Sequence, residues 1–199
     1  MFGLIRSKIF NGENQSPLFL VSDLDLSNIE LRDNGKPPER IIQFLPQSKL
    51  PIRLALLIDT SGSVHDRFGF EKHAAEKFLE KILNGTTDLG FVAGFNGDIL
   101  VTQDFSADAQ KLGSGIEALK NEGGNALFDA LWFACSKLAA YPEQQRVARV
   151  VVVLTDGEDN SSHRSLKQVL HDAEDAGVTI YAVSTKDTDG QKSGRRPNS

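Results

Sequence analysis

Asp59, Ser61 and Ser63 stand at alternate positions directly after the apolar run Leu54 to Ile58, and Thr155-Asp156-Gly157 closes a second apolar run, Val150 to Leu154. Two carboxylates held close together in a partly desolvated place repel each other unless one is protonated or a cation lies between them. The hydroxyls of Ser61 and Ser63 add hard oxygen donors, and neither Cys nor His is interleaved with them. That donor set fits Mg²⁺, Mn²⁺ or Ca²⁺ rather than zinc. Mg²⁺ also keeps waters or open positions that a carboxylate from a partner can fill.

The two carboxylates need elements that bring them to one place. An apolar run that stops at an acidic residue is what a buried parallel strand does when it surfaces at its carboxyl end. In an open α/β sheet, ligands bind beyond the carboxyl ends of the strands, so both acidic loops are expected on the same rim with Asp59 and Asp156 as neighbours.

Between and beyond the two runs, strands and helices alternate. Ala74, Ala75, Phe78, Leu79, Ile82 and Leu83 recur at helical spacing and Asn84-Gly85 ends that helix. Leu89 to Phe95 and Ile99 to Val101, joined through Asn96-Gly97-Asp98, read as a hairpin whose second strand is an antiparallel edge. Leu112, Ile116 and Leu119 mark one further helix face, and Leu127, Ala130, Leu131, Ala134 and Leu138 mark another. Val147 to Leu154 is the next strand. Ser162 is expected to cap a helix with Leu166, Val169, Leu170, Ala173 and Ala176 inward and Gly177 as its stop, followed by a last strand, Val178 to Ser184.

Asp59-Thr60-Ser61-Gly62-Ser63 resembles the Asp-x-Ser-x-Ser signature of von Willebrand factor A-type domains, whose metal-ion-dependent adhesion site is completed by a distant Thr and a distant Asp. The resemblance implies a Rossmann-like, mostly parallel sheet flanked by helices. It also implies a metal site of Asp59, Ser61, Ser63 and Asp156, and a protein partner whose Asp or Glu completes the coordination. The distant Thr falls in Gly123-Gly124-Asn125-Ala126-Leu127, where this chain has Asn125. An Asn side-chain carbonyl is an acceptable ligand for a hard cation. Alternatively the site is degenerate and the domain binds partners without metal. Ile29 to Pro37 and Ile41 to Phe44 resemble the segment that precedes the A-type domain in a group of bacterial proteins described from acidobacteria, where it forms part of a small β module.

The domain organisation expected is a partial β-rich segment over 1–50, with short strands at Phe19 to Ser22, Ile29 to Arg32 and Ile41 to Leu45, an A-type domain over 51–185, and a disordered polar tail over 186–199. That tail cannot supply the final strand and helix such domains carry, which implies C-terminal truncation and leaves Val178 to Ser184 as an edge, a liability for solubility.

With 199 residues, 40% hydrophobic and 25% charged, the chain can bury one core plus an appendage. A net charge of −5 argues against nucleic acid as the main partner. No apolar stretch approaches the ~20 residues needed to cross a membrane. Met1 to Phe10 lacks a long apolar region ahead of its Arg6 and Lys8, so no export signal is legible, whereas the family resemblance implies an exported or cell-envelope protein. Cys135, the single cysteine, falls on an apolar helix face and reads as a buried structural thiol.

Each sharp reading has a plain counterpart. Asp59 to Ser63 alone is also a helix cap with Ser63 as N-cap; the other two loops, in the right order, favour the metal. Glu158, Asp159 and Asn160 read as a solvated loop rather than as support for the site. His65 stands where it could meet a partner; His73, His163 and His171 read as surface residues on helices, and Trp132 and Phe133 as packing. No nucleophile elbow, Walker loop or dinucleotide fingerprint is present. A metal-dependent phosphohydrolase needs a nucleophile or base and a cationic group for phosphate, and neither acidic loop carries Lys or Arg. A binding module, not an enzyme, is the expectation.

Overall fold

Every residue from Leu54 to Ile58 is apolar because the strand they build is covered on both faces. The computed structural model describes residues 30, 32, 35–41, 49–62, 67–84, 86–121 and 123–185. The chain divides into two compact units, Met1–Lys49 and Leu50–Ser199. In the first, Glu30 and Arg32 form an exposed ion pair and Gly35 turns at φ 80°. The expected strand Phe19 to Ser22 and most of Ile41 to Leu45 lie outside the described residues, as do Ser63, His65 and 186–199.

The second unit runs β1 (Ile52–Asp59), α1 (Phe68–Ile82), β2 (Leu89–Phe95), β3 (Ile99–Ser106), α2 (Ala109–Glu117), α3 (Leu127–Ala140), β4 (Ala148–Thr155), α4 (Leu166–Asp175) and β5 (Val178–Ser184). The sheet order is β3-β2-β1-β4-β5. All pairings are parallel except β2 with β3, which is antiparallel as the hairpin turn predicts. This is the mostly parallel, helix-flanked α/β architecture expected.

Alternation within the strands divides the core in two. Leu54, Leu56, Ile58, Val152 and Leu154 pack with Ala75 and Leu79 of α1 and Leu112 and Ile116 of α2. Ala55, Leu57, Val151 and Val153 face the other way, onto Ala130, Leu131, Ala134 and Leu138 of α3 and Val169 and Ala173 of α4. Cys135 belongs to this second core.

Four expectations are corrected. Ala74 is exposed, and Glu71 takes the buried place one turn before Ala75 and Leu79. Ser165, not Ser162, caps α4, in a reciprocal box with Gln168. Of the apolar residues assigned to the inner face of α4, Leu166 and Leu170 are exposed, because a helix at the sheet margin buries only the narrow stripe Val169 and Ala173. His163 lies in the loop before α4 and reaches Asp129 at 3.0 Å, whereas His73 and His171 do lie on helices.

Beyond β4, the edge strand β5 keeps one long side without a strand among the described residues. Its Tyr181 and Val183, opposite Val152 and Leu154, are 58% and 49% exposed.

Candidate metal centre

β1 and β4 are parallel neighbours with Ile58 opposite Leu154, so their loops leave the same rim. Asp59 is fully buried there. Its Oδ1 accepts the Ser61 N–H at 2.9 Å, and its Oδ2 accepts the Thr155 hydroxyl at 2.8 Å and Asn125 Nδ2 at 2.7 Å. The side chain from β4 that touches Asp59 is thus Thr155, one residue before the Asp156 that the strand ends had pointed to. Thr60 is turned the opposite way: both its N–H and its hydroxyl donate to the Phe95 carbonyl, at 2.8 and 3.0 Å, tying the loop to the end of β2.

The third loop closes over the first. Gly123 adopts φ 93°, a backbone conformation that suits glycine, and its carbonyl accepts the Gly62 N–H at 3.3 Å. A Cβ on Gly124 would stand 2.8 Å from Ser161 Oγ, so the loop can approach only because that position is bare. Asn121 Nδ2 donates to the Ser61 carbonyl at 2.7 Å. Asn125 is gripped from the other side: its carbonyl accepts from the N–H groups of Asn160 and Ser161, both at 2.9 Å, and its N–H donates to Asn160 Oδ1 at 3.0 Å. Ser162 accepts from the N–H groups of Phe128 and Asp129 and so serves the start of α3, the role its mistaken assignment to α4 had hidden.

Four of the five residues assigned to the metal site are described, and Asp59, Ser61, Asn125 and Asp156 are all buried on this rim. Asp156 Oδ1 accepts the Glu158 N–H at 3.0 Å. Ser63 lies outside the described residues. Among the described residues no three His, Cys, Asp or Glu side chains gather as a metal-ligating group, so a cation here has to draw on hydroxyl and amide oxygens beside carboxylates. Asn125 supplies such an atom. An ionised carboxylate only accepts hydrogen bonds, so Asp59 takes the Nδ2 end of the amide. The Oδ1 end is left buried with no hydrogen-bond partner.

Sequence reasoning passed over three residues here. Thr155 was treated only as the neighbour of Asp156. Asn160 reads in the sequence as part of a solvated loop, yet its Oδ1 accepts the Asn125 N–H. Glu71, 3% exposed, was not singled out. Its recurrence with Ala75 and Leu79 at every fourth position is the signal that places it on the inner face of α1. Burial pushes the Glu71 carboxyl above its ordinary range; Thr185 and Arg67 pull it back, and Asp59 and Asp156 push it further up.

A doubly covered parallel sheet whose carboxyl rim gathers carboxylate, hydroxyl and amide oxygens defines a class of α/β domain with a rim-borne binding site. The chain belongs to the von Willebrand factor type A domain family, whose model matches residues 54–194. No curated protein matches it. Among solved structures it is similar to the conserved hypothetical protein BatB from Bacteroides thetaiotaomicron, at 19% identity and TM-score 0.57, over 67% of this chain and 66% of that one. It is also similar to a von Willebrand factor type A protein from Catenulispora acidiphila, at 18% identity and TM-score 0.55, over 67% of this chain and 33% of that one. A three-domain structure of the type V pili tip protein Mfa5 from Porphyromonas gingivalis matches at 19% identity and TM-score 0.49, over 55% of this chain and 20% of that one. The chain thus spans less than two thirds of the length of each of these structures. At such identities the likeness is one of fold.

Proposed function

We propose that this domain is a protein-binding module assisted by a divalent cation, Mg²⁺ or alternatively Mn²⁺ or Ca²⁺, and that it is not an enzyme. Ser61, Ser63 and Asn125 would contact the cation, Asp59 and Asp156 would hold it directly or through water, and a partner's Asp or Glu would complete its shell. The observation that carries this reading is the buried, unpartnered Asn125 Oδ1 on an amide already anchored to Asp59. A buried acceptor without a partner costs about 1–3 kcal/mol, which a bound cation relieves. When bound, the cation supplies a Lewis-acidic position for a carboxylate; the chain's own part is to hold the oxygens in place.

A metal-free interaction scaffold is the second reading, and a specific observation favours it. Asp59 already accepts three hydrogen bonds, from Ser61, Thr155 and Asn125, so its charge is compensated without a cation.

Thermal unfolding in Mg²⁺, Mn²⁺ or Ca²⁺ against EDTA, with Asp156→Ala beside the wild type, separates the two. Free metal at ~100 times its dissociation constant adds about 2.7 kcal/mol, roughly 5–10 °C for a chain of this size. A shift that vanishes in Asp156→Ala supports the metal site. No shift at millimolar metal in a folded sample leaves the metal-free scaffold. Phosphodiester or phosphomonoester turnover with Mn²⁺ that depends on Asp156 would overturn both in favour of a hydrolase.

A further inference from the structure

Beside the rim, between α1 and the end of β5, lies a cleft of about 250 Å³. Its walls are apolar: Phe70 and Ala74 from α1, Leu154 from β4 and Val183 from β5. Phe70 is 77% exposed, so this wall stands open to whatever approaches. The polar groups of the cleft include Glu71 and Thr185. Both Glu71 carboxyl oxygens and the Thr185 hydroxyl oxygen are buried without a hydrogen-bond partner. Thr185 lies near enough to Glu71 to stabilise its charge but makes no well-formed hydrogen bond with it.

We propose that this cleft receives the side chain of a lysine from a protein partner. An ammonium carries three N–H donors and no acceptor, and Glu71 and Thr185 in the lining of the cleft carry three acceptor oxygens without a hydrogen-bond partner. A lysine's aliphatic stem covers apolar surface while its head seeks polar groups, which matches walls of Phe70, Ala74, Leu154 and Val183 around the Glu71 carboxyl. Arg67 also lines the cleft and its charge acts on Glu71, but Asp59 and Asp156 act on the same carboxyl with the opposite sign. That the ammonium comes from a protein rests on the binding-module reading; the preference of the cleft for an ammonium does not, and it holds without metal.

The test is an ¹⁵N–¹H NMR titration of the full chain in EDTA. The probes are the capped tripeptide acetyl-Ala-Lys-Ala-amide, the same peptide with norleucine in place of lysine, and n-butylammonium. Saturable shifts at Phe70, Glu71, Ser184 and Thr185 are expected with the lysine peptide. They should weaken about tenfold in Glu71→Gln, as loss of a charge-assisted hydrogen bond implies. Should Glu71→Gln fail to fold, Ala74→Leu narrows the cleft from an exposed position and is expected to weaken binding several-fold. Equal binding of the norleucine peptide would reduce the cleft to an apolar groove and overturn the proposal, as would lysine-peptide binding unchanged in both variants or absent in the wild type. Binding of n-butylammonium without the peptide would assign the cleft to free amines and overturn the protein partner. Because metal is absent throughout, a degenerate metal site leaves the expected result unchanged.

Discussion

Asn125 Nδ2 lies 2.7 Å from Asp59 Oδ2 and joins two loops that are 66 residues apart in the chain. The bond is buried, and one partner is a carboxylate whose other hydrogen bonds come from Ser61 and Thr155. Asn125→Ala removes one of the three donors without giving water a way in. Loss of a buried hydrogen bond to a charged group costs about 1.5–3 kcal/mol, and removal of the unpartnered Asn125 Oδ1 offsets part of that cost. Urea unfolding in EDTA should show a lower midpoint at unchanged slope, since the surface exposed on unfolding stays the same. Asn125→Thr, which keeps a donor and an oxygen, should recover part of the loss. An unchanged midpoint in Asn125→Ala would mean that the cost of the unpartnered Oδ1 cancels the whole gain from the bond to Asp59.

Arg53 and Glu143 make a second long-range tie, at the opposite end of β1. Nε and Nη2 of Arg53 reach the two Glu143 oxygens at 2.6 and 2.8 Å, with side chains only 8% and 10% exposed. The Arg53 Nη1 group also donates to the Thr87 carbonyl at 2.7 Å. Removing one member of a buried pair strands the other charge, at about 3–5 kcal/mol. Glu143→Ala is therefore expected to destabilise strongly, by chemical denaturation at low and at high salt alike, because a buried pair is poorly screened. A loss that disappears at high salt would indicate a solvated pair instead.

How legible all this was in the sequence depends on whether a residue answers to a local period or to a partner far along the chain. The order of strands and helices could be read because apolar runs and helical repeats report burial directly, as Leu54 to Ile58 and Ala130 to Leu138 do. Failures came at the margins. Leu166 and Leu170 obey the helical period, but α4 has a neighbour on one narrow stripe only. At the site, Asp59 and Asp156 announced themselves by type and position. Thr155, Asn160 and Ser162 did not, because a side chain that grips a backbone group some 35 residues away, as Asn160 grips Asn125, leaves no periodic trace.

Cys135 gives a prediction about reactivity. Burial pushes its thiol up to about 11, with Asp172 adding to the effect. Only thiolate attacks an alkylating reagent, so Cys135 should resist iodoacetamide at pH 8 in the folded protein and react once urea unfolds it. The linkage has a definite sign. The folded value lies above the unfolded one, so the thiol's contribution is intact below about pH 8.5 and is lost as pH rises toward 11. Labelling at pH 8 in the native protein at the unfolded rate would place the thiol at the surface.

Glu71 gives the prediction that bears most directly on the cleft and the rim. Its folded carboxyl lies above 4.5, first because it is buried, with Asp59 and Asp156 adding to the shift and Thr185 and Arg67 opposing it. Below that pH the group is protonated in both states and ionisation costs folding nothing. As pH rises, the unfolded chain ionises freely while the folded carboxyl lags, so folding stability falls until the folded group ionises as well. Glu71→Gln lacks this term. In EDTA, the melting temperature of the wild type should therefore drop relative to Glu71→Gln as pH rises above the ordinary carboxylate range, and the gap should level off once the folded carboxyl has ionised too. Parallel melting curves across that window would mean that the carboxyl titrates as it does in water. A gap that closes on adding the lysine peptide at pH 7 would show that an ammonium relieves the same buried charge.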